Sequence, residues 1–193
     1  MRRILALLIS GMLMLTACPR PVHFNATDVT GSSWGRDFQL ADATGQPRKL
    51  ADFKGKVVAL FFGYTHCPDV CPTTLTTMAS VMKELGESAA QVQVLFVTLD
   101  PERDTPAVLA SYVPAFHSSF KGLSGDAVTT RKVADEFKVF YEKQPGTTPT
   151  SYTLDHTSAI YLFDPQGRLR LYAAYGTPAT QLTEDIRTLL SGK

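Results

Sequence analysis

Six consecutive apolar residues, Val57-Val58-Ala59-Leu60-Phe61-Phe62, restrict the folds open to this 193-residue chain more than anything else in it. Lys54-Gly55-Lys56 breaks the chain just before them. A strand with one wet face alternates apolar and polar residues, whereas an unbroken run between breakers belongs to a strand buried on both faces. Such a strand needs a layer above and a layer below it, so helices must pack on a sheet. Val92 to Leu99 is a second run of this kind, and Ala159 to Phe163 a third. Between the first two lies Thr73 to Glu87, where Leu75, Met78, Val81, Met82 and Leu85 recur at helical spacing behind Pro72. A proline fits the first helical turn, where its missing N–H costs nothing.

The remaining elements extend this α/β pattern. Trp34 to Leu50 reads as two short strands, with Phe38 and Leu40 alternating and Asp42 to Gly45 as the turn. Pro106 to Phe116 reads as a helix, and so does Asp126 to Phe137, with Asp126 as N-cap and Val128, Val133, Ala134 and Phe137 as its apolar positions. A short strand is expected over Val139 to Glu142, and a surface loop over Gln144 to Ser151. The third apolar run turns through Asp164-Pro165-Gln166-Gly167 into a strand over Arg168 to Tyr175. Thr177-Pro178 then opens a last helix with Leu182, Ile186, Leu189 and Leu190 on one face. The expected fold is α/β, with an N-terminal β-hairpin and a mixed central sheet flanked by helices. A hydrophobic content of 44% suits a folded domain rather than a disordered chain. Lys and Arg are scattered among acids at a net charge of +1, with no basic stripe, so no nucleic-acid partner is expected. Nothing signals an oligomer, and a monomer is expected.

The amino terminus is set apart from the fold. Arg2 and Arg3 precede a short apolar stretch, Ile4 to Leu15, shorter than the ~20 apolar residues of a membrane span. Residues 1–17 therefore read as a secretory signal. Leu15-Thr16-Ala17-Cys18 resembles a bacterial lipobox, in which Cys18 is lipidated; an ordinary signal peptide would leave Cys18 as a spare thiol. Residues 18–33 read as a tether and 34–193 as the folded domain. Lipidation holds a protein on a membrane outside the cytoplasm, on the periplasmic side if the cell has two membranes.

Cys67 and Cys71 follow the first apolar strand directly and open the first helix. A dithiol at the carboxyl end of a central strand is the thioredoxin-like placement, the edge where open α/β sheets keep their sites. A helix N-terminus favours thiolate, and thiolates either exchange disulfides or bind a soft metal. The spacing is Cys-x3-Cys, not the Cys-x2-Cys usual in thioredoxin-type oxidoreductases. The approach to the third apolar strand, Leu154-Asp155-His156-Thr157-Ser158, lacks the proline such enzymes place opposite the dithiol. It offers His156 instead. Two thiolates and an imidazole suit copper as Cu(I) or Cu(II). Zinc in a closed site wants a fourth protein ligand, for which His66 is the neighbouring candidate. Met78 and Met82 belong to the apolar stripe, His23 to the tether, His117 to a helix end, and Asp69 to the helix start.

Phe62-Gly-Tyr-Thr-His-Cys-Pro-Asp-Val-Cys-Pro72, Asp100-Pro-Glu-Arg-Asp-Thr-Pro106 and Asp155-His-Thr-Ser-Ala-Ile-Tyr-Leu-Phe-Asp-Pro165 together resemble the Sco/SenC family, over about Gly35 to Leu190. The resemblance implies a membrane-tethered, thioredoxin-fold copper metallochaperone with Cys67, Cys71 and His156 as ligands. It also implies delivery to the two-copper centre of cytochrome c oxidase subunit II, with a copper donor protein and a thiol reductant as further partners. Many relatives carry a transmembrane helix where this chain has Cys18. Asp100 to Pro106 either docks a partner or pairs Asp with Arg internally. Two rival functions remain: a thiol–disulfide oxidoreductase that reduces the acceptor's cysteines, and, with less support from the motif, a peroxidase.

Overall fold

The computed structural model describes residues 22–148 and 151–192. In chain order the described elements are β1 (Thr27–Asp28), β2 (Gln39–Asp42), β3 (Pro47–Lys49), β4 (Val57–Gly63), α1 (Val70–Leu85), β5 (Val92–Thr98), α2 (Pro106–Tyr112) and β6 (Lys121–Ser124). They continue as α3 (Ala127–Glu136), β7 (Tyr141–Pro145), β8 (Tyr152–His156), β9 (Ala159–Phe163), β10 (Leu169–Ala174) and α4 (Ala179–Leu190). Eight strands form one mixed sheet in the order β1-β10-β9-β4-β5-β6-β2-β3, while β7 and β8 pair only with each other. β4, β5 and β6 run parallel, and β9 runs antiparallel to β4. The thioredoxin-like α/β expectation is met.

Every residue of β4 and of β5 is buried, as two covered faces require. Alternate side chains of β4 feed two layers. Phe61 meets Phe96, which meets Tyr112 of α2, whereas Phe62 meets Phe137 behind α3 and Tyr161 of β9. Each such fully buried side chain contributes about 1.5–3 kcal/mol of transfer free energy. Met78 and Met82 are buried on the inward stripe of α1, as expected of core residues. No helix among the described residues is long and apolar enough to cross a membrane.

Several sequence expectations need correction. α1 begins at Val70, not Thr73, so Cys71 lies inside its first turn. Asp126 caps α3 by accepting the Thr129 amide, yet Val128 is 78% exposed and outside the apolar face. β7 begins at Tyr141 and runs on to Pro145, into the expected loop, and β8 was not anticipated. Both strands are mostly polar, and their extended form comes from pairing with each other. β6 was also missed, because four residues with one large apolar side chain give no pattern; its pairing with β5 defines it. Residues 24–33, read as tether, lie on the domain. β1 pairs with β10, and the amides of Asn25 and Ala26 donate to the buried Asp185 carboxylate at 2.8 and 2.9 Å. Cys18 and the signal lie outside the described residues.

Candidate metal centre

The dithiol loop is fixed from below before its sulfurs are considered. β4 ends at Gly63, Tyr64 is buried, and Thr65 turns the chain. The Thr65 amide and hydroxyl donate to the Asp104 carboxylate at 3.0 and 2.5 Å, and the Thr98 hydroxyl donates to it at 2.5 Å. Asp104, itself buried, thus ties the loop after β4 to the end of β5. A Cβ on Gly63 would stand 2.6 Å from Cys71 Sγ and 2.9 Å from the Phe96 ring, so only glycine lets the sulfur lie against the strand.

Both cysteines are free thiols; Cys71 is buried and Cys67 half-buried. The Cys71 amide donates to Cys67 Sγ at 3.4 Å, and the N-cap residue Asp69 makes no side-chain cap bond to the helix amides. Cys67 sulfur therefore serves one of the amide donors that a helix N-terminus leaves unmet. The hydrogen bond from the Cys71 thiol, above all, pulls the Cys67 pKa down to about 5 against the cost of burial. The amides of Cys71 and Asp69 act in the same direction. Cys71 is pushed far up, because the same hydrogen bond holds its proton and burial penalises its thiolate. The pair is asymmetric: an accessible thiolate beside a buried thiol.

His156 arrives by topology. β9 runs antiparallel to β4, so the chain just before β9 lies over the carboxyl end of β4, where the dithiol loop begins. His156 Nε2 is 3.6 Å from Cys71 Sγ, and Nδ1 is 2.9 Å from the Thr157 carbonyl oxygen. A carbonyl only accepts, so Nδ1 carries the proton and Nε2 turns its lone pair to the sulfurs. The Tyr64 ring meets the imidazole edge-on at 6.0 Å. The ligating atoms of Cys67, Cys71 and His156 all lie within 4.8 Å of one another. Cys67 and His156 border a hollow of about 440 Å³ lined also by Tyr64, Pro68 and Asp69, while Cys71 is buried. A larger cleft of about 950 Å³ beside α3 holds no thiol or imidazole.

The three residues singled out by sequence are thus brought together, and the other candidates are not. His66 is about half exposed, with Nδ1 3.2 Å from the Thr65 hydroxyl and 3.8 Å from Asp104, and it is no part of the cluster. His117 bonds the Ser119 hydroxyl at 2.8 Å, which serves the following turn. Asp69 accepts from the Thr73 hydroxyl at 3.2 Å. His23 is exposed. In the Asp100 to Pro106 loop the internal pairing is present: Arg103 Nε donates to Asp100, and Asp104 anchors Thr65. Sequence reading passed over Gly63, Tyr64, Asp104 and Tyr152. All but Tyr152 fall within the quoted motifs, but only the packed structure shows what each one touches.

A thioredoxin-like sheet with two cysteines and a histidine gathered near its carboxyl edge defines a thioredoxin-fold protein with a mixed sulfur and imidazole site. The SCO1/SenC family pattern matches residues 26–191. The chain belongs to that family. It is 41% identical over 153 residues to the mitochondrial SCO2 homolog of Bos taurus, covering 78% of this chain and 58% of that protein's length. Among solved structures, Bradyrhizobium japonicum ScoI with copper bound superposes with a TM-score of 0.75 at 38% identity, covering 81% of this chain and 99% of the other. Apo Sco1 from Thermus thermophilus gives a TM-score of 0.77 at 39% identity, covering 86% and 97%.

Proposed function

We propose that this protein is a copper metallochaperone, with copper as its cargo and Cys67, Cys71 and His156 as the ligands. The observation that carries the reading is the convergence of two sulfurs and one imidazole lone pair within 4.8 Å. Thiolate and imidazole together suit copper, and three donors beside an open hollow leave room for a fourth from a donor or acceptor protein. Ligand exchange then moves the ion without releasing it free. The acceptor is the two-copper centre of cytochrome c oxidase subunit II, and a lipid on Cys18 holds the domain at the membrane surface. Copper bound in ScoI from Bradyrhizobium japonicum supports the choice of metal. Oxidation of Cys67 and Cys71 to a disulfide removes two of the three ligands, so the dithiol's redox state gates the cargo.

A second reading is favoured by the asymmetry of the thiols. Cys67 thiolate can attack a partner's disulfide, forming a mixed disulfide and releasing one partner thiolate. Cys71 then gives up its proton and displaces the second partner thiol, leaving Cys67–Cys71 oxidised and the partner reduced. The discriminating experiment is Cu(I) titration of the reduced protein, wild type against His156→Ala. The chaperone predicts one tightly held copper per chain and a marked loss in the variant. A wild type that binds no copper yet reduces disulfides overturns it in favour of the reductase.

A further inference from the structure

His156 is not carried by the main sheet. It ends β8, and β7 and β8 form a two-stranded ribbon with no strand pairing to the other eight. A lone ribbon of this kind is marginally stable in water, so side chains must hold it over the dithiol. Residues 152, 154 and 156 share one face of β8, since strand side chains alternate. That face is turned inward: Leu154 is buried and Tyr152 and His156 are half-buried, whereas Thr153 and Asp155 are exposed.

Tyr152, at the far end of this face, is gripped by the loop after β5. The Arg103 guanidinium carbon stacks 3.5 Å from the centre of the Tyr152 ring. Arg103 Nη1 donates to the Tyr152 carbonyl oxygen at 2.9 Å, and its Nε donates to Asp100. The Tyr152 hydroxyl donates to the other Asp100 oxygen at 2.6 Å. Asp100 is 2% exposed, and its amide donates to the Thr98 hydroxyl at the end of β5. The grip is therefore rooted in a central strand of the sheet. It is a closed ring of contacts: carboxylate to guanidinium, guanidinium to ring face and carbonyl, and phenol back to carboxylate.

We infer that Arg103, Tyr152 and Asp100 are positioning residues for the metal centre: they latch the ribbon so that His156 Nε2 meets the sulfurs. The latch touches none of the three ligand side chains and acts through one of them. Arg103 is the residue for the task because its planar fork stacks and donates from several nitrogens at once, which an ammonium cannot do. Loosening groups that orient a ligand typically costs about 10–100-fold in metal affinity. This inference rests on the copper reading above.

The test uses the reduced full chain with Cu(I) as probe, bicinchoninate as competitor, and amide exchange measured without metal. Arg103→Lys keeps a charge beside Asp100 but removes the fork, and Tyr152→Phe removes only the bond to Asp100. Arg103→Lys is expected to weaken Cu(I) binding about tenfold or more and Tyr152→Phe less. Exchange at Leu154 and His156 should quicken while the amides of α1 stay as they were. In the His156→Ala background, Arg103→Lys should cost nothing further, because the latch acts only through His156. An equal loss in both backgrounds, or unchanged affinity in the wild-type background, overturns the inference. Should the wild type bind no Cu(I), the chaperone reading fails by itself. The exchange data then still decide the latch, and unaltered exchange in Arg103→Lys rules it out.

Discussion

Cys67 should react as a thiolate far into the acid range, and its rate profile against pH tests the site's electrostatics directly. The folded-state pKa of about 5 lies below that of a free cysteine, so the reactive form persists until the pH falls through about 5. Near pH 5.5 roughly three quarters of Cys67 is ionised, against roughly one part in a thousand of a free cysteine with pKa about 8.5. Lower basicity also blunts the nucleophile: with a Brønsted coefficient of about 0.4–0.5, a pKa lower by about 3.5 slows each thiolate about 40-fold. The two effects combine to make Cys67 about 20-fold faster than free cysteine near pH 5.5, about equal near neutrality, and about 20-fold slower near pH 8.5. The crossover is the signature, because a rate measured only at pH 7 shows nothing unusual. A suitable assay follows the first turnover of 4,4′-dithiodipyridine, an uncharged disulfide, by stopped flow on the reduced protein. Cys71→Ala removes the thiol donor that does most to lower the pKa. The inflection should then move up toward the free value and stop short of it, because the backbone donors remain. A wild-type profile that parallels free cysteine, or an inflection indifferent to Cys71→Ala, would refute the assignment.

Two further predictions concern the loop's foundations. Gly63→Ala pushes a methyl group into Cys71 Sγ and Phe96, so stability should fall by about 1–3 kcal/mol in urea unfolding, as in other overpacked cores. Cys67 reactivity should shift with it; an unchanged midpoint and rate profile would contradict the close approach. Asp104→Ala leaves the Thr65 amide and the Thr65 and Thr98 hydroxyls without their acceptor, and about 1–3 kcal/mol is expected for each buried donor that finds no water. Asp104→Asn keeps an acceptor oxygen and should lose less, and equal losses in the two variants would argue against the hydrogen-bonding role.

The parts of the fold legible in sequence are those where a local pattern and the final packing say the same thing. Val57–Phe62 and Val92–Leu99 are apolar on both faces because both faces are covered, and Leu75 to Leu85 keeps helical spacing because one stripe is inward. Cys67, Cys71 and His156 were legible for a different reason: the topology fixes which loops meet at the sheet's carboxyl edge. β6, β7 and β8 were obscure because their extended form depends on a partner strand, and Lys121–Ser124 or Tyr152–His156 taken alone has too few apolar residues to declare itself. The Asp185 contacts that bring Asn25 and Ala26 onto the domain span about 160 residues of sequence, a separation no local pattern encodes. Arg103 could be read as an ion-pair partner of Asp100, but its stacking on Tyr152 is a tertiary fact.

The amide of Cys71 rests on the Cys67 sulfur, so whatever changes the charge of that sulfur also changes the strength of an acceptor for the first turn of α1. Losing an N-terminal cap typically costs a helix about 0.5–2 kcal/mol. Thiol, thiolate and disulfide forms of Cys67 therefore differ in how firmly α1 is wound at its start. The start of that helix is thereby a gauge of the sulfur's chemical state.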